Sequence, residues 1–196
     1  VVSMQSNGTL LDDEMIAALE KAGLDRINLS IHSLNPERAA YLAGAPWFDI
    51  ERVKHAAERI AESAIDLMIA PVYIPGINDG DIPELIRFAI RVGAGKRWPA
   101  LGIQKFEHYR LGRSPGRVKA QSWWQFYNRS LAAWEEQFSI PLRLRPQDFS
   151  IERRPMIPTV FEKRQKAWVH IRAPGWLAGE QMGVAKNRVV SVMDCP

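Results

Sequence analysis

Cysteine is nearly missing from this chain: Cys195 is the only one in 196 residues. A single thiol excludes an internal disulfide framework and any multi-cysteine metal site built from this chain alone, and it fits a reducing, cytoplasmic setting. Long apolar runs are missing too. None approaches the roughly twenty residues a membrane helix needs, and no signal peptide opens the chain. Internal repeats and low-complexity tracts are absent. What remains, 46% apolar and 24% charged residues, is the composition of an ordinary soluble globular protein, long enough for one domain with a small appendage. Val1 stands directly in a strand-like run, as expected of an N-terminally truncated piece of a longer protein; a processed or trimmed start is the alternative.

The stretch around which the rest is organised is Asp25–Glu37, DRINLSIHSLNPE. Ile27, Leu29 and Ile31 alternate with Asn28, Ser30 and His32, the period of a strand with two unlike faces. Helix-like segments flank it at Leu11–Ala22 and Asp49–Ser63. A strand between helices points to βα units, and a polar face on such a strand suits the interior of a (β/α) barrel; an antiparallel strand with its polar side in water is the other reading.

Val1–Met4 begins a strand that Gln5-Ser6-Asn7-Gly8 ends with turn chemistry. Thr9 is placed to cap the next helix, whose apolar stripe is Leu11, Met15, Leu19 and Ala22. A helical turn is expected after Pro36, and Asp49 is expected to cap the second helix. Ile65–Ile74 reads as one buried strand, Asp81 as the cap of a third helix, and Ala100–Phe106 as a fourth strand. Ser122 and Gln125 form a capping box ahead of a helix carrying Trp123, Tyr127, Leu131, Trp134 and Phe138, a stripe read as core. Ile140, Leu142 and Leu144 read as a short final strand. Residues 145–160 read as a proline-rich linker and 161–196 as a small all-β barrel module, with strands at Ala167–Arg172 and Arg188–Met193. The expected class is α/β: a partial barrel over residues 1–144, then the β module.

Net charge is +4 but uneven: Lys105 to Arg172 holds fourteen Lys and Arg against six Asp and Glu. A basic second half suits a polyanion such as nucleic acid, and equally a solvated surface with scattered arginines.

Over Val2 to Glu107 the residues resemble a radical S-adenosylmethionine (SAM) enzyme. The resemblance rests on SNGTLLDDEMIAALEKAGLDRINLSIHSLNPERAAYLAG and on VYIPGIND, in that order and spacing. It implies strands three to six of a six-stranded partial (β/α) barrel that is TIM-like. The family's CxxxCxxC motif and its Gly-Gly-Glu segment are not in the chain, so the resemblance implies that a 4Fe–4S cluster is held by residues outside this chain, which alone is inactive. The chemistry it implies for the whole protein is reductive cleavage of SAM to a 5′-deoxyadenosyl radical, with an external electron donor. Cofactor contacts implied on this chain are Ser6 and Asn7 toward the methionyl or substrate side and Ser30 toward the carboxylate or ribose. Ile74, Gly76, Gln104 and Phe106 are implied around the adenine. His32 stands where relatives often carry Asp, and Phe106 where some carry Met. His32, Lys105, Glu107 and His108 are candidate substrate contacts or proton donors. The C-terminal stretch from Trp168 is similar to the TRAM or OB-like modules of RNA-modifying relatives. Trp168, His170, Arg172, Trp176, Lys186 and Arg188 are its candidate contacts to single-stranded RNA, unless the tryptophans are buried packing residues, and Arg113 and Arg117 of the basic loop Tyr109–Ala120 are further candidates. Two other functions stay open: a non-catalytic nucleic-acid-binding protein on a TIM-like barrel, and a cluster-free barrel enzyme.

Overall fold

Five parallel strand segments form the frame of the first unit. The computed structural model describes residues 1–109, 114–152 and 154–194, which divide into two compact units, Val1–Glu152 and Arg153–Pro196. In the first unit β1 (Ser3–Ser6) pairs parallel with β2 (Arg26–Leu29), and β2 pairs parallel with β3 (Asp66–Ile69). The next pairing is ragged. Ile69 bridges Leu101, and β4 (Val72–Tyr73) pairs parallel with β5 (Gln104–Lys105). The single strand expected over Ile65–Ile74 is thus split at Ala70-Pro71. Proline has no N–H for a ladder, although the Pro71 carbonyl still accepts from the Gln104 amide at 2.8 Å.

Helices α1 (Asp13–Lys21), α3 (Ile50–Glu62) and α4 (Asp81–Arg91) join consecutive strands. Their apolar faces meet Ile27, Leu29, Leu67 and Ile69, all fully buried. Asp12, not Thr9, caps α1, its carboxylate accepting from the Met15 amide. The later start buries Ile16 and leaves Met15 46% exposed, which corrects the expected stripe. Asp49 caps α3 as its position suggests. Asp81 does not cap α4: Gly80 holds that position, and the Asp81 side chain is engaged elsewhere. The turn expected after Pro36 is a full helix, α2 (Pro36–Ala43), capped by Asn35.

The opposite sheet face carries Gln5, Asn28 and Met68 in register. At its lower end Asp66, 1% exposed, accepts from the amides of Lys96, Arg97 and Trp98. The Arg26 guanidinium lies over the rings of Trp98 and Phe149, at 5.3 and 5.0 Å. Burial pushes the Arg26 pKa down, against the opposing pull of Asp66.

The helix from Trp123 to Phe138 runs as α5 (Trp123–Gln125), a π-helical stretch (Phe126–Leu131) and α6 (Ala132–Phe138). Leu131 is buried and Tyr127, Trp134 and Phe138 pack against the core as their spacing suggests, but Trp123 is 57% exposed and Phe126, at the start of the wider π turns, is buried in its place. The strand expected over Ile140–Leu144 does not form. The amides of Leu142 and Arg143 donate instead to Glu135 Oε1, each at 2.7 Å, while the Leu142 side chain is buried. Burial alone would raise the Glu135 pKa; those bonds and the Arg143 guanidinium hold it low. Residues 145–152, expected in the linker, belong to the first unit and include a 3-10 turn, Pro146–Phe149.

The second unit is a three-stranded antiparallel sheet, β6 (His170–Pro174), β7 (Glu180–Ala185) and β8 (Arg188–Met193). The middle strand was not read from the sequence; Gly183 interrupts its pattern, and is needed because a Cβ there would lie 2.4 Å from Val169 Cγ1.

Candidate functional site

The upper ends of these parallel strand segments carry most residues to which the sequence assigns chemistry. β1 ends in a tight turn. Ser6 Oγ accepts from the Gly8 amide at 3.0 Å, and Asn7 Oδ1 accepts from the Thr9 amide and hydroxyl at 3.2 and 2.9 Å. Gly8 is required twice over: its φ is +81°, and a Cβ would lie 2.8 Å from Val53 and 2.9 Å from Leu29. Ser6 pairs with Leu29 in register and so points to the helix side, whereas Gln5 lies on the opposite face and donates to Ser30 Oγ at 3.3 Å. Gln5 was missed by the sequence reading. Alternation along Ser3, Gln5 and Asn7 is the signal that finds it.

β2 pairs parallel on both sides, with Ile27, Leu29 and Ile31 buried and Asn28, Ser30 and His32 half-buried on the other face. Asn7, Ser30 and His32 line a cavity of about 220 Å³, walled by Ala39, Leu42, Ala43 and Phe48. The Val72 amide donates to His32 Nδ1 at 3.1 Å. The neutral ring therefore carries its proton on Nε2, which makes no hydrogen bond to any described residue. Burial also lowers the His32 pKa below its usual 6.5. A neutral cavity with hydroxyl, amide and N–H groups on one wall and aliphatic groups on the other suits an uncharged ring bearing hydroxyls.

Beside it the loop after β4 is held by a buried network that the sequence reading missed. Asn78, fully buried, accepts from the Ile74 amide at 2.7 Å and donates to the carbonyls of Val72 and His32 at 2.9 and 3.1 Å. Asp81 accepts from Ser33 Oγ at 2.5 Å and from Arg38 at 2.7 Å, joining the ends of β2, α2 and α4. The Arg38 pKa is raised by its bond to Asp81. Asp79 accepts from the Tyr73 hydroxyl and the Gly76 amide at 2.8 and 2.6 Å, and burial together with that carboxylate pushes Tyr73 up to about 12. Gly76, at φ +78°, lets the Ile74-Pro75-Gly76 turn form. Ile74 and Phe106 then meet Leu42 in a small apolar cluster. Gln104 stays exposed.

Lys105, Glu107 and His108 do not join His32. They line a separate cavity of about 430 Å³ with Trp123, Phe126 and Tyr127. Lys105 Nζ is 2.8 Å from Glu107 Oε1 and 5.1 Å from the Trp123 ring, and His108 Nε2 lies 2.8 Å from the Val118 carbonyl. Of the proposed nucleic-acid contacts, Arg113 lies outside the described residues. Arg117 is exposed in the first unit, and the others belong to the second unit.

Residues 1–89 match the family profile described as the Radical SAM superfamily. The uncharacterized protein MJ0103 of Methanocaldococcus jannaschii is 35% identical over 210 aligned residues, covering 100% of this chain and 48% of that protein. The GTP 3′,8-cyclase of Aquifex aeolicus is 34% identical over 97 residues, covering 50% of this chain and 30% of the cyclase. SuiB of Streptococcus suis shares the fold at a TM-score of 0.53 and 15% identity, over 71% of this chain and 31% of SuiB. Over residues 1–89 this chain belongs to the radical SAM superfamily. It spans about half the length of MJ0103 and under a third of that cyclase.

Proposed function

We propose that β1, β2, β3 with β4 as one strand broken at Pro71, and β5 are strands three to six of a six-stranded partial (β/α) barrel, and that the full-length protein cleaves SAM reductively. The observation that carries this reading is the neutral cavity formed by Asn7, Ser30 and His32 beside the Ile74-Pro75-Gly76 turn, within the stretch that matches the superfamily. Such a wall of uncharged donors and acceptors fits the ribose of SAM, with the apolar cluster of Ile74 and Phe106 nearby for the adenine. The chain's own donor set does not fit the cluster, which needs several thiolates where this sequence has one. The cluster is therefore assigned to other residues of the full-length protein. When bound, the two cofactors supply a 5′-deoxyadenosyl radical, with an electron from an external donor. This chain's residues orient the nucleoside and exclude water. Gln5 holds the Ser30 hydroxyl, and the Asn78 bonds fix the turn.

The test uses full-length protein reconstituted with iron and sulfide. Dithionite should then drive formation of 5′-deoxyadenosine from SAM, and residues 1–196 alone should give none. Ser30→Ala should weaken SAM binding by about 1 kcal/mol, the value of one hydrogen bond. Absence of 5′-deoxyadenosine from the reconstituted protein would sink the reading, and unchanged affinity in the variant would remove Ser30 from the site.

A further inference from the structure

Charge is segregated between the two units. Residues 153–196 contain eight Lys and Arg and three Asp and Glu, so this short unit carries +5 of a chain whose net charge is +4. Among the described residues no ion pair neutralises Lys163, Arg164, Lys166, Arg172, Lys186 or Arg188. Of the three acidic groups, Glu180 is turned inward to its own hairpin, accepting from the amides of Trp176 and Leu177 at 2.8 and 3.1 Å. The same unit holds the two most exposed aromatic side chains described, Trp168 at 95% and Trp176 at 93%. Neither is a packing residue. Val169 packs on Gly183, so by alternation His170, the first residue of β6, falls on the other side. On that side His170 is in register with Val184, which in turn faces Val189, 74% exposed.

We propose that the unit spanning residues 153–196 binds single-stranded nucleic acid, with Trp168 and Trp176 stacking on bases and Arg172, Lys163 and Lys166 meeting phosphates. Positive charge alone suits any polyanion. Indoles held out in water in the same short unit as cations without an ion pair suit a strand whose bases are free to stack, because a duplex hides its ring faces. Lys186 serves the scaffold: its ammonium donates to the Val160 carbonyl at 3.0 Å and lies 5.2 Å from the Phe161 ring. The proposal does not depend on SAM chemistry in the first unit.

The whole chain is titrated with fluorescent 12-nucleotide RNA and DNA strands of mixed sequence at several salt concentrations, and with vesicles of phosphatidylserine. Affinity for at least one strand should fall steeply with salt, and the RNA and DNA arms identify the sugar it prefers. Trp168→Ala and Trp176→Ala should each weaken binding about fivefold or more with an unchanged salt slope, in line with one lost base stack. Arg172→Gln should reduce the slope by about 0.7, one phosphate contact on a single strand. All are exposed positions, so folding should be unaffected. Tight binding to vesicles with none to either strand, no binding to any probe at low salt, or strand binding that ignores both tryptophans would each overturn the proposal. None of these results bears on whether the full-length protein forms 5′-deoxyadenosine.

Discussion

At the scale of single residues, His32 shows how a backbone contact selects a side chain's chemistry. The Val72 amide needs an acceptor, the buried ring supplies Nδ1, and the proton is left on Nε2. Burial depresses the pKa below 6.5. The folded protein therefore binds a proton at His32 less readily than the unfolded chain does. Stability from this group is fully present above pH 6.5 and is lost as pH falls through the lower folded value. Urea unfolding at a series of pH values should show this loss, and His32→Gln should flatten the acid side of the profile. A profile that is the same with and without His32 would show that the folded ring takes up its proton as freely as the unfolded one.

The element that positions the candidate site is the loop from Ile74 to Asp81. Its side chains look like turn residues, yet Asn78 is completely buried and serves three backbone groups belonging to two separate strand ends. Removing the amide leaves those groups dry and unpaired. Asn78→Ala should destabilise the chain by about 3 kcal/mol, within the range for losing buried hydrogen bonds. Asn78→Asp should not rescue it, because a carboxylate cannot donate to the His32 and Val72 carbonyls. Chemical denaturation of the two variants checks this, and a wild-type midpoint for the aspartate variant would contradict the network. The same network explains why Asp81 is not a helix cap: Ser33 and Arg38 already claim both its oxygens.

Across the whole molecule, apolar burial is as uneven as charge. The large core cluster and the small one at Leu42 draw entirely on residues up to Leu142, whereas Ala185 is the only hydrophobic residue of the second unit found buried among the described residues. A sheet with so little buried surface has a small local free energy of opening. Hydrogen exchange should therefore show the amides of β6, β7 and β8 exchanging faster than those of β2 and β3. Equal protection in the two units would mean that they open together. No helix among the described residues is long and apolar enough to cross a membrane.

Much of this was legible in the sequence because it is local. The alternation from Ile27 to His32 set the two faces of β2, and the cap Asp49 and the capping box at Ser122 mark helix starts. Those signals act within a few residues, through backbone hydrogen bonds and side-chain period. The tertiary structure decided what depends on distant neighbours. It sent Ser6 to the helix side and Gln5 to Ser30, because strand register, not position in a turn, fixes direction. It placed His32 and Lys105 in separate cavities although both are polar residues near strand ends. It replaced the strand at Ile140–Leu144 with amides bound to Glu135, since a nearby carboxylate satisfied them before any strand did. Burial of Asn78 and exposure of Trp168 could not be read from residue type, because each depends on which surfaces the folded chain brings together.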